Sequence, residues 1–146
     1  WRWYVQAFWK LAAALVLIVF WGRGMFAYGQ DVAVIESEMV ATARWVSENL
    51  PPQTLIAAHD IGALGFFGDH DLIDLAGLVS PEVRPFIRDE ARIAGYLDAR
   101  GVEYLVTFPD WYPQLTSGRV PIFETGAPYA PSLGQPNMSV YRWTSP

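Results

Sequence analysis

TLIAAHDIGALGFFGDHDLIDL, residues 54–75, decides the fold. Thr54–Ala58 reads as a buried strand. Asp60 is placed to cap a short segment, Ile61–Phe67, and Leu72–Leu75 reads as a second short strand ending near Gly77. Two strands joined through a helical segment form the start of a parallel sheet.

The flanks continue the alternation. Upstream, Asp31 is placed to cap a helix whose apolar positions run Val32, Ile35, Met39, Ala43, Val46 and Leu50, every third or fourth residue. Pro51-Pro52 ends it. Downstream, Ser80-Pro81-Glu82 has the form of an N-cap followed by proline at the first helical position. A helix over about residues 88–100 follows, with Ala91, Ala94 and Leu97 expected inward and Gly101 as its stop. Glu103–Phe108 is a third strand candidate. Two more, Val120–Thr125 and Met138–Trp143, lie among turn-rich segments and are expected to form an antiparallel hairpin at the sheet edge.

The N-terminal residues obey a different rule. Leu11–Trp21 is an unbroken apolar run, and extension back through Tyr4–Trp9 gives the roughly 20 residues that a bilayer requires. Trp1, Trp3, Tyr4, Phe8 and Trp9 lie on one side of the run and Phe20, Trp21, Phe26 and Tyr28 on the other. Tyr and Trp favour the headgroup region. Arg23 directly after the run argues against a signal peptide, and an all-apolar surface argues against a buried core helix. A chain starting at Trp1 rather than Met is expected to be a processed product or part of a longer one. Residues 1–30 are therefore expected to be a transmembrane helix with its juxtamembrane segment, and residues 31–146 an extracytoplasmic domain. The fold class expected is α/β: one N-terminal transmembrane helix, then a small, mainly parallel sheet with helices on its faces and a C-terminal edge hairpin.

Charge is sorted along the same division. Residues 1–30 hold Arg2, Lys10, Arg23 and no acid, whereas residues 31–146 hold seven arginines against all fifteen acids, a formal charge of −8. By the positive-inside rule the N-terminus is expected in the cytoplasm and the domain outside the inner (plasma) membrane. So acidic a domain repels phosphate backbones, which argues against a nucleic-acid partner. The lack of cysteine excludes disulfides, thiolate-held zinc and thiol nucleophiles.

Ligands of open parallel sheets bind beyond the carboxyl ends of the strands. Three such ends are polar here: His59-Asp60, Asp74 through Gly77, and Asp110-Trp111-Tyr112. With Gly62 in the first turn, these give the candidate ligand-binding residues His59, Asp60, Gly62, Asp74, Gly77, Asp110, Trp111 and Tyr112. Trp111 and Tyr112 are suited to stack on a sugar face, and equally to plug the sheet end or rest on a membrane. Glycines 62, 65 and 68 allow close backbone approach, but their spacing is not the dinucleotide fingerprint. His59, Asp60, Asp69, His70, Asp71 and Asp74 invite a metal reading. Roles as a cap, a solvated turn and a backbone anchor explain them better, so no metal or other cofactor is expected. Ser80, between Val79 and Pro81, lacks the nucleophile-elbow context.

WVSENLPPQTLIAAHDIGALGFFGDHDLIDLAGLVSPEV, residues 45–83, resembles the extracytoplasmic C-terminal region of bacterial polytopic, C-type glycosyltransferases. These are multi-span enzymes using lipid-linked sugar donors, among them arabinofuranosyl- and mannosyltransferase-like proteins. The matching elements are the helix end from Trp45 to Pro51, Asp60-Ile61-Gly62 with Phe66-Phe67, and Asp74-Leu75-x-Gly77-Leu78. The resemblance covers residues 31–110 and is poor over the C-terminal quarter. It implies the last membrane span plus an exported accessory domain acting at the acceptor side. A polyprenyl-linked sugar or glycan acceptor would be engaged through the full-length protein. The catalytic acid and sugar-lipid site of such enzymes lie in the membrane part, so no catalytic residue is expected here. Asp60 and Asp74 match the motif without a catalytic role. The alternative is a single-span protein with an exported α/β domain that binds a ligand or partner.

Overall fold

In the computed structural model, which describes residues 1–143, the chain divides into two compact units, residues 1–33 and 34–146. The first unit is the α-helix α1 (Arg2–Val34), none of whose residues is buried. Helical structure runs unbroken from Arg2 to Asn49, and the apolar stretch is long and apolar enough to cross a membrane.

Asp31 does not cap a new helix, because it lies inside α1. No proline interrupts residues 2–49, and the glycines at 22, 24 and 29 leave the backbone hydrogen bonds intact. A π-helical segment, Ile35–Val40, joins α1 to α2 (Ala41–Asn49). The widened turn shifts the expected apolar stripe. Ala43, Val46 and Leu50 are buried and Met39 packs against them, but Val32 and Ile35 are exposed. Glu38 is the residue that turns inward.

Five strands follow: β1 (Leu55–Ala58), β2 (Asp71–Asp74), β3 (Tyr104–Thr107), β4 (Phe123–Glu124) and β5 (Ser139–Arg142), in spatial order β2-β1-β3-β5-β4. The first three are parallel, with Leu55 opposite Asp71 and Ile56 opposite Tyr104. β5 runs antiparallel to β3, and β4 adds to β5 as the antiparallel edge. The sheet is therefore mixed, a parallel half and an antiparallel half. The candidate strand over residues 120–125 shrinks to two paired residues, since Pro121 has no N–H to offer and Gly126 turns the chain away.

Alternate side chains serve opposite faces of the sheet. Ile56, Ala58, Tyr104, Val106 and Val140 pack under α2 and α3 (Gly62–Phe67). Ala57, Ile73, Leu105 and Tyr141 pack under α4 (Glu90–Arg100) and α5 (Pro113–Thr116). The inward stripe of α4 is Ile93 and Leu97, and Ala91 is exposed. Isoleucine removes more apolar area than alanine and sets the rotation of the helix. The helix begins at Glu90 with Asp89 as its cap, Oδ1 accepting from Arg92 N at 3.0 Å, and ends on Gly101 at φ 70°. Ser80 precedes a 3₁₀ turn, Pro81–Phe86, without capping it; its hydroxyl accepts from Asp74 N at 3.0 Å instead. A short helix α6 (Tyr129–Ser132) lies between β4 and β5.

Candidate functional site

The path from β1 through α3 to β2 uses one face of the sheet, and the return through α4 to β3 uses the other. Strand order therefore reverses at β1, and the chain leaves β1 and β3 in opposite directions. A crevice at the carboxyl ends of such a pair is the usual ligand position in open α/β sheets. Here it is an open cleft of about 600 Å³ lined by His59, Ile87, Arg88, Glu90, Trp111 and Tyr112.

His59 follows β1 directly, and its Nδ1 lies 2.7 Å from the Tyr112 hydroxyl. Tyr112 ends a 3₁₀ turn, Pro109–Trp111, that β3 delivers to the same place. The proline fixes the turn and sets Trp111 against both Phe108 and His59, with ring centroids 4.9 Å apart in each case. Two of its neighbours are thus ring systems, yet 40% of Trp111 stays exposed, and that surface lines the cleft.

Burial, aided by the charges of Asp74 and Glu90, pushes the Tyr112 phenol up to about 12. It keeps its hydrogen across the physiological range. Among the described residues its partner is His59, and buried donors are nearly always satisfied. With the phenol as donor to His59 Nδ1, the neutral imidazole carries its hydrogen on Nε2.

Of the eight residues expected from the sequence, the cleft gathers His59, Trp111 and Tyr112. Asp74 does not line it and is fully buried. Its Oδ1 accepts from Ala76 N at 2.8 Å, and its Oδ2 accepts from Val79 N at 2.9 Å and from Leu78 N. Gly77, at φ 73°, makes that turn possible, and a side chain there would collide with Arg84. Asp60 is no strong cap, since among the described residues its hydrogen bonding to α3 is a single 3.4 Å bond from Gly62 N. A Cβ on Gly62 would find ordinary room, so close backbone approach is not its role. Asp60, Gly62, Gly77 and Asp110 do not line the cleft. Among the described residues no group of three or more His, Asp or Glu side chains is placed to hold a metal ion.

Ile87, Arg88 and Glu90 line the cleft without having been singled out by sequence. Ile87 and Arg88 stand between the 3₁₀ turn and α4, Glu90 opens α4, none is in a motif, and they reach the site only because α4 crosses the opposite face. Glu90 Oε2 accepts from Gln114 N at 2.8 Å and Leu115 N at 2.9 Å, tying the start of α5 to α4.

Residues 24–141 match the model of a family described as a domain of unknown function, DUF8728. The chain belongs to that family. The DUF8728 match takes in the whole sheet up to Tyr141, both helical layers and every residue of the cleft. No curated protein and no solved structure matches this DUF8728 chain.

Proposed function

We propose that this chain is the last membrane span and the extracytoplasmic domain of a membrane glycosyltransferase, and that the β1/β3 cleft holds a sugar of the acceptor. Residues 1–30 anchor it in the plasma membrane, and the domain stands on the outer side. The observation that carries the reading is Trp111, whose indole is braced by Phe108 and His59 while the residue stays 40% exposed and lines the cleft. A braced, partly exposed aromatic surface beside an imidazole suits a sugar. The ring's C–H face packs on the indole and its hydroxyls meet polar groups at the rim. Catalysis belongs to membrane segments other than these residues.

Two experiments test the two halves. Calorimetry of the full chain in detergent with a panel of oligosaccharides should give binding that Trp111→Ala removes. Absence of binding, or binding indifferent to that substitution, overturns the cleft assignment. Reading the gene upstream of Trp1 should reveal further apolar spans. A start codon close by would overturn the glycosyltransferase half and leave a single-span protein with a ligand-binding domain.

A further inference from the structure

The cleft carries a charge that the fold does not use. Arg88 lines it beside His59 and Trp111, yet it forms no hydrogen bond, ion pair or ring contact with the described residues. The other domain arginines are engaged. Arg84 Nε donates to Gly77 O at 2.7 Å, and Arg119 Nε donates to Leu115 O at 2.9 Å. Arg44, Arg92, Arg100 and Arg142 lie over the rings of Phe67, Phe86, Tyr96 and Tyr104. The one acid of the cleft, Glu90, already has an oxygen committed to two backbone N–H groups. In a domain with fifteen acids and seven arginines, an uncommitted guanidinium is the exception.

We infer that the cleft selects an anionic sugar, one bearing a carboxylate or a phosphate, with Arg88 as the residue that reads the negative group. The inference rests on the sugar reading above and names the chemical class of that sugar. Guanidinium forks pair with carboxylate and phosphate oxygens through two parallel bonds, which a neutral hydroxyl cannot match. With the Tyr112 phenol as donor to Nδ1, His59 offers a second donor at Nε2. Trp111 supplies the surface for the ring itself. Three neighbours on the cleft wall thus address the three parts of one ligand: charge, hydroxyl and C–H face.

The test uses the full chain in a polyoxyethylene detergent, which carries neither sugar nor charge. Methyl glucoside, glucuronate, glucose 6-phosphate and inorganic phosphate are titrated separately by calorimetry. Glucuronate or glucose 6-phosphate should bind about ten-fold tighter than methyl glucoside. The tighter of the two tells whether the negative group is carboxylate or phosphate. Arg88→Gln should abolish the preference, so that the anionic sugars bind no tighter than methyl glucoside, while Arg88→Lys should keep part of it. Because Arg88 makes no hydrogen bond, ion pair or ring contact among the described residues, both variants should melt like the parent. Equal affinity for neutral and anionic sugars overturns this inference and leaves the sugar reading standing. So does a preference that survives Arg88→Gln. Inorganic phosphate binding as tightly as glucose 6-phosphate also overturns it, since the site would then read an anion and not a sugar. If no sugar binds, both readings fall together.

Discussion

The imidazole of His59 and the phenol of Tyr112, 53 residues apart in sequence, share a hydrogen bond of 2.7 Å across the ends of β1 and β3. The bond ties the ends of the two strands where strand order reverses, and with the phenol as donor it selects the imidazole tautomer. Tyr112→Phe removes the donor and keeps the ring. The substitution should cost about 0.5–1.5 kcal/mol in stability. It should also change the tautomer population of His59, read from its ¹⁵N imidazole shifts. Unchanged shifts would mean that something other than Tyr112 orients the ring.

The same phenol predicts an alkaline limit. Its native value lies near 12 against 10.0 for an ordinary tyrosine, and Tyr96 and Tyr141 are also raised, each chiefly by burial. Below pH 10 folded and unfolded chains hold these protons alike, and stability is at its full value. As pH rises from 10 towards 12 the unfolded chain releases protons that the folded chain retains, so stability falls. Chemical denaturation at stepped pH should show this loss, and Tyr112→Phe should reduce it. A midpoint that stays flat through this window would contradict the assignment.

The two motif aspartates should separate. Asp74 is buried and accepts three backbone N–H bonds, so Asp74→Ala leaves donors without a partner, at about 1–3 kcal/mol each where water cannot reach them. Asp60 makes one long bond and is partly exposed, so Asp60→Ala should stay within about 0.5 kcal/mol. Thermal unfolding of both variants decides the matter, and equal shifts would refute the distinction.

Glu38 predicts the largest loss of stability. Its buried carboxylate accepts from Thr125 Oγ1, from Asn137 Nδ2 at 2.9 Å and from Met138 N at 2.8 Å, pinning both ends of the β4–β5 connection. Glu38→Ala should destabilise the domain by about 3 kcal/mol or more, and Glu38→Gln by less, because the amide keeps one acceptor. Hydrogen exchange should accelerate first in residues 123–140. Exchange that accelerates uniformly would argue that Glu38 supports no particular segment.

Much of the fold was legible because residues 50–101 are punctuated. Pro51-Pro52, the glycines of residues 62–68 and Gly101 bracket runs whose periods differ, and each run became the element its period implies. The later residues resist such reading. β4 owes its two paired residues to β5 rather than to a pattern of its own, and α4 turns Ile93 inward in place of Ala91, while Ala94 and Leu97 pack inward as expected. Glu38 was hidden because an acid in an amphipathic helix reads as solvent-facing, and only the π-helical turn carries it inward. In the cleft, His59, Trp111 and Tyr112 were visible as polar and aromatic residues at strand ends. Arg88 and Glu90 were not, because their place comes from the crossing of α4 over the sheet.

The central claim is that a sugar lies against Trp111 between the ends of β1 and β3. The most direct measurement is a two-dimensional NMR titration of the full chain in detergent, labelled at tryptophan indole and histidine imidazole nitrogens, with a sugar that binds. The account predicts that Trp111 Nε1 and the His59 nitrogens shift together along one saturation curve, while Trp45, Trp143 and His70 stay still. Shifts confined to Trp143 or His70, or spread evenly over all the tryptophans, would contradict it.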